Sequence, residues 1–254
     1  IDATGKTVLC ANYSTGNVAS FPVKGDGSLG EAVSFFQHSG SSVDPNRQKQ
    51  PNAHCFVVSP DNRFALAADL GIDQVLVYRL DAANAKLTPN TPPFAKSPPG
   101  SGPRHLTFHP NGKFVYVINE LKNSVTLFDY AAGPGTLTER QTISTLPPSF
   151  KGVSHCADLK ITPDGKYLYG TNRGHDSLAM YSIADDGKLT LLGIEPSRGK
   201  GPQNLAITAD GKTLLCANMP GNNVATFQIG DDGRLKLVGT LIEVVSPSCI
   251  RILE

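Results

Sequence analysis

Short runs in which apolar side chains alternate with polar or small ones recur along the whole chain, each closed by a turn bearing Gly, Asn or Asp. HLTFHP, DLKITP and NLAITA lead into the turns HPNGK, TPDGK and TADGK, which hand over to FVYVINE, YLYGTNR and TLLCANM. Asn-Gly or Asp-Gly between two such runs predicts a β-hairpin. A third run follows (NVASFPV, QVLVYRL, SVTLFDY, SLAMYSI, NVATFQI), then a Gly/Asp-rich turn and a fourth run such as LTERQTIS or LKLVGTLI. No segment carries a convincing helical period. The turns DATGK, SPDNR, HPNGK, TPDGK and TADGK place their fourth residues at 5, 62, 112, 165 and 211, a repeat of about 50 residues. Four strands per repeat predict an all-β chain built from four-stranded antiparallel blades, a β-propeller, forming one domain over residues 1–254. The chain starts inside one repeat, runs through four more and ends in SPSCIRILE, which reads as the first strand of another. About five blades of an N-terminally truncated ring are expected.

The turns also predict strand register, because hairpin partners lie symmetrically about the tip. Arg104 is expected opposite Asn119, His54 opposite Asp69, Ala157 opposite Asn172 and Gln203 opposite Asn218, with Asn12 in the same place in the first repeat. Asn or Asp thus closes the second strand of every repeat, which suits a structural role tying strand-end backbone groups. Its neighbours vary: Tyr13, Leu70, Glu120, Arg173 and Met219 follow it, while His54, Arg104, Ala157 and Gln203 oppose it. Variation inside a constant scaffold points to an asymmetric site. His54, Arg104, Glu120 and Arg173 are its expected catalytic residues, with His105, His155, Asp158, His175 and Gln203 as further substrate-binding candidates. Each also has a plainer reading: the arginines can bridge strands, Glu120 can pair with one of them, and His54 can be a satisfied strand-start histidine. His109 falls on the turn side and is set aside.

Composition narrows the chemistry. Of 254 residues, 39% are hydrophobic and 18% charged, and the formal net charge is +1 with no basic run, so neither nucleic acid nor an anionic membrane is an expected partner. No apolar stretch approaches the length of a membrane span. Ile1 opens a strand-like segment with no signal-type core, and the absent initiator Met reads as a cut. Five scattered cysteines (10, 55, 156, 216, 249) show no CxxC or Cys/His zinc spacing; they read as small buried apolar residues suited to a reducing, cytoplasmic setting. The histidines dictate no metal geometry, no cofactor is expected, and oligomeric state is unassigned. GSGPR and GKGPQ lead into strands and so lack the helix N-terminus of a phosphate-cradling loop. No GxSxG elbow occurs, no carboxylate pair has glycosidase spacing, and any hydrolysis must use an activated water. The polar insertion HSGSSVDPNRQKQPNAHC, residues 38–55, breaks the period just before His54, as functional or mobile loops do.

ANYSTGNVASFPV, PNAHC, AADLGIDQVLVYRLD, GSGPRHLTFHPNGKFVYVINEL, ADLKITPDGKYLYGTNRGHDS and SPSCIRIL together resemble the propeller-type lactonase family, which includes bacterial 6-phosphogluconolactonases and carboxy-cis,cis-muconate cyclases. The resemblance spans essentially the whole chain. It implies a seven-bladed propeller of which about two N-terminal blades are absent here. It also implies a site of one histidine, two arginines and one glutamate, matching His54 in NAHC, Arg104 in GPRH, Glu120 in NEL and Arg173 in NRGHDS. Gln203 stands where many relatives carry arginine, and Asp158 where many carry glutamate. The implied activity is metal-independent hydrolysis of a sugar lactone, foremost 6-phosphoglucono-1,5-lactone, with a small-molecule substrate and His54 or Glu120 as base. A lactonising muconate-type cycloisomerase and a non-catalytic binding propeller are the alternatives.

Overall fold

Four of the five predicted turns join two strands of a hairpin and the first leads into a strand; the backbone at the fourth residue of each shows why those residues are there. In the computed structural model, which describes residues 1–253, Gly5, Asn62, Gly112, Gly165 and Gly211 have φ between 59° and 76°, a left-handed conformation open to Gly and tolerated by Asn. Short side chains lock the tips. The hydroxyls of Ser59, Thr162 and Thr208 donate to Oδ1 of Asp61, Asp164 and Asp210 at 2.5–2.6 Å. The same oxygens accept the N–H groups of Arg63, Lys166 and Lys212.

Twenty strands and no helix occur among the described residues, and they form five antiparallel sheets. The first holds β1 (Thr7–Asn12), β2 (Asn17–Pro22) and β3 (Ser34–Gln37). The second holds β4 (Ala53–Val58), β5 (Phe64–Asp69), β6 (Gln74–Asp81) and β7 (Lys86–Lys96), and the third β8 (Pro103–Phe108), β9 (Phe114–Asn119), β10 (Ser124–Ala131) and β11 (Thr136–Ser144). The fourth runs through β12 (His155–Ile161), β13 (Tyr167–Arg173), β14 (Ser177–Ile183) and β15 (Leu189–Pro196). The fifth holds β16 (Pro202–Ile207), β17 (Thr213–Asn218), β18 (Asn223–Ile229) and β19 (Leu235–Leu237), with β20 (Ile242–Glu243) pairing β18. The fourth run of the last repeat is thus broken in two. SPSCIRIL, expected as a strand, has no strand assignment, and the final Glu254 of that motif lies outside the described residues. Its Ile250 N–H is satisfied by the Asn204 Oδ1 side-chain acceptor at 2.8 Å and not by a ladder.

The chain divides into two compact units. In the unit of residues 1–108, 112–117 and 128–139, Phe64, Leu66, Val75, Val115, Val117 and Phe128 form one fully enclosed cluster, and Val18, Ala65, Ala67, Tyr78 and Leu87 another. In the unit of residues 109–111, 118–127 and 140–254, the core is Tyr169, Leu178, Met180, Leu205, Leu214, Cys216 and Phe227. Alternation along the strands puts these side chains on shared faces, and each large apolar side chain so buried contributes roughly 1.5–3 kcal/mol.

The strand-end Asn/Asp residues act as ties. Asn172 Nδ2 donates to the Thr145 carbonyl (2.8 Å) and Asn218 Nδ2 to the Ser197 carbonyl (3.0 Å), while Asp69 Oδ1 accepts the N–H of Asn52 (2.7 Å) and Gly71 (3.0 Å). The 38–55 insertion is pinned as well. Buried Gln48 donates to the Leu70 carbonyl, Gln50 to Ser14 and Asn52 to Tyr13.

Candidate functional site

The first strands of three repeats share a defect at their entry. Near the tips the predicted register holds, with Val58 opposite Ala65, Ile161 opposite Leu168 and Ile207 opposite Leu214. At the far end it slips by one residue. Ala53, not His54, faces Asp69; Cys156, not Ala157, faces Asn172; Pro202, not Gln203, faces Asn218. A β-bulge absorbs the extra residue in each strand and re-aims its side chain. His54 and Gln203 are the bulged residues, and Ala157 and Asp158 share the irregularity in β12. Arg104 holds the same second place in β8 that His54 holds in β4 and Gln203 in β16.

One group of candidates gathers in the first unit. The His54 ring meets His105 edge-on at 5.4 Å between centroids and Tyr13 at 5.1 Å. Buried Arg104 directs Nη1 at Nε2 of His105, 3.1 Å away. Because a guanidinium only donates, that nitrogen accepts and the His105 proton sits on Nδ1. Arg47 Nη2 lies 3.4 Å from the Tyr13 hydroxyl. Tyr13 and Arg47 were not among the candidates; the only sequence signals were Tyr13's place after the strand-end Asn and Arg47's place in the insertion.

The second group lies in the other unit. Glu120, 5% exposed, follows β9, and its Oε2 is 3.1 Å from Nη2 of Arg173 at the end of β13. The same guanidinium donates to the carbonyls of Cys156 (2.9 Å) and His155 (3.3 Å) and to Oε1 of Gln203 (3.3 Å). Four acceptors around one rigid fork fix its position and plane. Arg173, His155 and Gln203 line a pocket of about 500 Å³ with Lys200, Val153, Met219 and Pro220. It offers cations and amide groups beside an apolar wall. Lys200 was missed, since as a single lysine in a Gly-rich turn it read as a linker residue.

Two candidates lie elsewhere. Asp158, 1% exposed, accepts from Lys160 Nζ (2.8 Å), Asn204 Nδ2 (2.7 Å) and the Leu205 N–H (3.0 Å), a clamp between β12 and β16. His175 Nδ1 is 2.7 Å from the Ser177 hydroxyl, and its ring meets Phe150 edge-on at 4.7 Å. Neither lines the Arg173 pocket. Among the described residues, no group of three or more His, Cys, Asp or Glu side chains is placed to hold a metal ion.

Residues 1–252 match the family described as lactonase, 7-bladed beta-propeller. The chain belongs to this family. Its five sheets correspond to about five of the blades of these propeller lactonases. It is 36% identical over 206 residues to a 6-phosphogluconolactonase of Bacillus subtilis, covering 80% of this chain and 57% of that protein. Against a 6-phosphogluconolactonase of Formosa agariphila it is 35% identical over 211 residues, covering 81% and 59%. The solved structure of a Pseudomonas aeruginosa periplasmic gluconolactonase superposes with a TM-score of 0.91 at 35% identity, covering 98% of this chain and 70% of that one. This propeller lactonase sequence therefore spans 57 to 59% of the length of those two curated relatives.

Proposed function

We propose that the protein hydrolyses a sugar δ-lactone, 6-phosphoglucono-1,5-lactone foremost, to the open hydroxy acid. The observation that carries this reading is the four-way hold on the Arg173 guanidinium at the wall of a pocket, in a chain whose family is named for lactonases. Attack of water on a lactone carbonyl places negative charge on the carbonyl oxygen, and a preorganised cation stabilises that charge without reorganising. Arg173 supplies such a cation, and Glu120 holds it in plane. Arg104, buried and directed at His105, is a second fixed guanidinium.

Water must lose a proton as the carbon–oxygen bond forms. Glu120, beside the Arg173 guanidinium, or His54 in the first unit takes that proton as general base. When the tetrahedral adduct collapses, the ring carbon–oxygen bond breaks and the departing alkoxide takes that proton back, leaving the hydroxy acid. Lys200, beside Gln203 in the pocket, supplies the cation for a substrate phosphate that Gln203 itself cannot. The test is acid release from freshly generated 6-phosphogluconolactone and from gluconolactone, with Arg104→Ala and Lys200→Ala alongside. Acceleration over buffer that is lost in Arg104→Ala, and a KM rise confined to the phosphorylated lactone in Lys200→Ala, are expected. Rates equal to buffer on both lactones would sink the proposal.

A further inference from the structure

A second feature of the first unit takes no part in that chemistry. After the last strand of each sheet one residue donates its N–H across the sheet: His38 to Gly16, Ser97 to Asp73, Thr145 to Asn123, Ser197 to Asp176 and Val244 to Asn222. The place therefore holds a small hydroxyl residue in three repeats, a valine in the last and a histidine in the first. The strand-end tie next to it is Asn119, Asn172 or Asn218 elsewhere and Asp69 here. Where the pair is Asn172 with Thr145, or Asn218 with Ser197, one amide-to-carbonyl bond links one repeat to the next. The fold thus closes without an imidazole or a carboxylate at these places.

Between the first repeat and the second the two departures meet. His38 Nδ1 is 2.6 Å from Asp69 Oδ2 and its Nε2 is 3.0 Å from the Tyr78 hydroxyl; Asp69 is fully buried and His38 and Tyr78 are 5% and 4% exposed. Asp69 accepts two backbone N–H groups on Oδ1, which leaves Oδ2 to meet the His38 ring. Burial first, and the Asp69 charge second, push the Tyr78 phenol far up, so it stays protonated. The pairing of β6 with β7 slips between Leu76 and Tyr78, as that of β14 with β15 does between Met180 and Tyr181. Beside the first slip is a cavity of about 320 Å³, lined by Phe36, Leu76, Phe94, Pro93, His38 and Tyr78 among others.

We infer that this cavity is a binding site for a flat, neutral one- or two-ring molecule carrying a hydroxyl group, which hydrogen-bonds the polar end of the Asp69–His38–Tyr78 chain. The inference does not depend on lactone hydrolysis. Three rings and two prolines, Pro89 and Pro93, suit an apolar ring face, and apolar walls with one convergent polar group are the usual make-up of a small-molecule site. A cavity of about 150 Å³ already admits benzene, so this volume suits up to two fused rings. A hydroxyl both donates and accepts, and therefore pairs with Tyr78 whichever of Tyr78 and His38 holds the shared proton.

The probe is 2-naphthol, with naphthalene as its counterpart lacking the hydroxyl, titrated into the whole chain and followed by ligand fluorescence and by methyl NMR at Leu76 and Ile72. Saturable one-to-one binding of 2-naphthol is expected, tighter than naphthalene by roughly three- to tenfold, the factor one neutral hydrogen bond carries. Tyr78→Phe keeps a ring that Phe128 and Phe227 supply in the third strands of other repeats, and should erase that preference. The double variant His38→Thr with Asp69→Asn, which restores the pair used elsewhere in the chain, should erase it too. Absence of saturable 2-naphthol binding, equal binding of the two probes to the wild type, or a preference surviving in both variants would each overturn the inference.

Discussion

Replacing Arg173 by lysine separates charge from geometry at the Glu120 pair. The guanidinium makes four polar contacts, to Glu120, Gln203 and the carbonyls of His155 and Cys156, at 2.9–3.3 Å. An ammonium keeps the positive charge but is a single point on a flexible stem; keeping Glu120, it gives up the other three. Hydrogen bonds to a charged donor contribute roughly 1.5–3 kcal/mol each in buried settings. The Arg173 side chain is 26% exposed, so water recovers part of each and about 1 kcal/mol per bond is the better figure. The loss is then about 3 kcal/mol, which for a domain of this size lowers Tm by roughly 6–12 °C. If Arg173 also meets developing charge, kcat for lactone hydrolysis should fall about 100- to 1,000-fold, as on removal of one oxyanion donor, with KM little changed. Differential scanning calorimetry and pH-stat kinetics on the same preparations read both. A Tm within 1 °C of wild type would refute the four-contact argument, and a kcat within threefold would remove Arg173 from the chemistry.

Other substitutions probe separate links. His54→Gln should lower kcat about 100-fold or more, the contribution of a general base, with Tm unmoved; a kcat within threefold of wild type would assign the base elsewhere. Gly135 has φ of +68°, and a Cβ there would sit 2.3 Å from the buried Phe64 ring, so Gly135→Ala should destabilise by about 2–4 kcal/mol in urea unfolding, whereas a cost below about 0.5 kcal/mol would show that the turn yields. Burial raises the Asp2 carboxyl, but hydrogen bonds from Thr4, Asn62 and Thr7 outweigh it and hold the group well below its ordinary 3.8. Its stabilisation is thus present above that value and lost as pH falls toward and below 2, so Asp2→Asn should flatten the acid side of the stability curve; an unchanged slope between pH 4 and 2 would contradict this. The Cys216 thiol is pushed up to about 12 by burial and then by Asp158, so iodoacetamide at pH 8 should label exposed Cys249 and reach Cys216 only after unfolding.

How far the sequence could be read depended on whether a position answers to local or to distant neighbours. The tips were legible because a left-handed residue leaves a local mark, Gly or Asn, at the fourth place of each turn. Register near the tips followed for the same reason. The bulges were not legible: a bulged strand has the same alternation as a regular one, and only the partner strand reveals the extra residue at His54 and Gln203. That hidden residue matters most, because it decides which side chain is re-aimed and which stays in the ladder. Glu120 and Arg173 stood out as departures from a repeated pattern, yet the hydrogen bonds around the Arg173 guanidinium come from three segments that no spacing rule links. Its place near the strand entry makes Asp158 a substrate-binding candidate in the sequence. That its carboxylate accepts from Asn204 and the Leu205 N–H of the next sheet depends on distant neighbours and left no local mark. His38 and Asp69 complete the argument, since neither stood out alone in a polar stretch or at a strand end. Paired across 31 residues, they depart from the small hydroxyl found at the matching place of three other repeats and from the amide at the strand end. An internal repeat thus provides its own control, and departures become informative once the fold shows which of them touch.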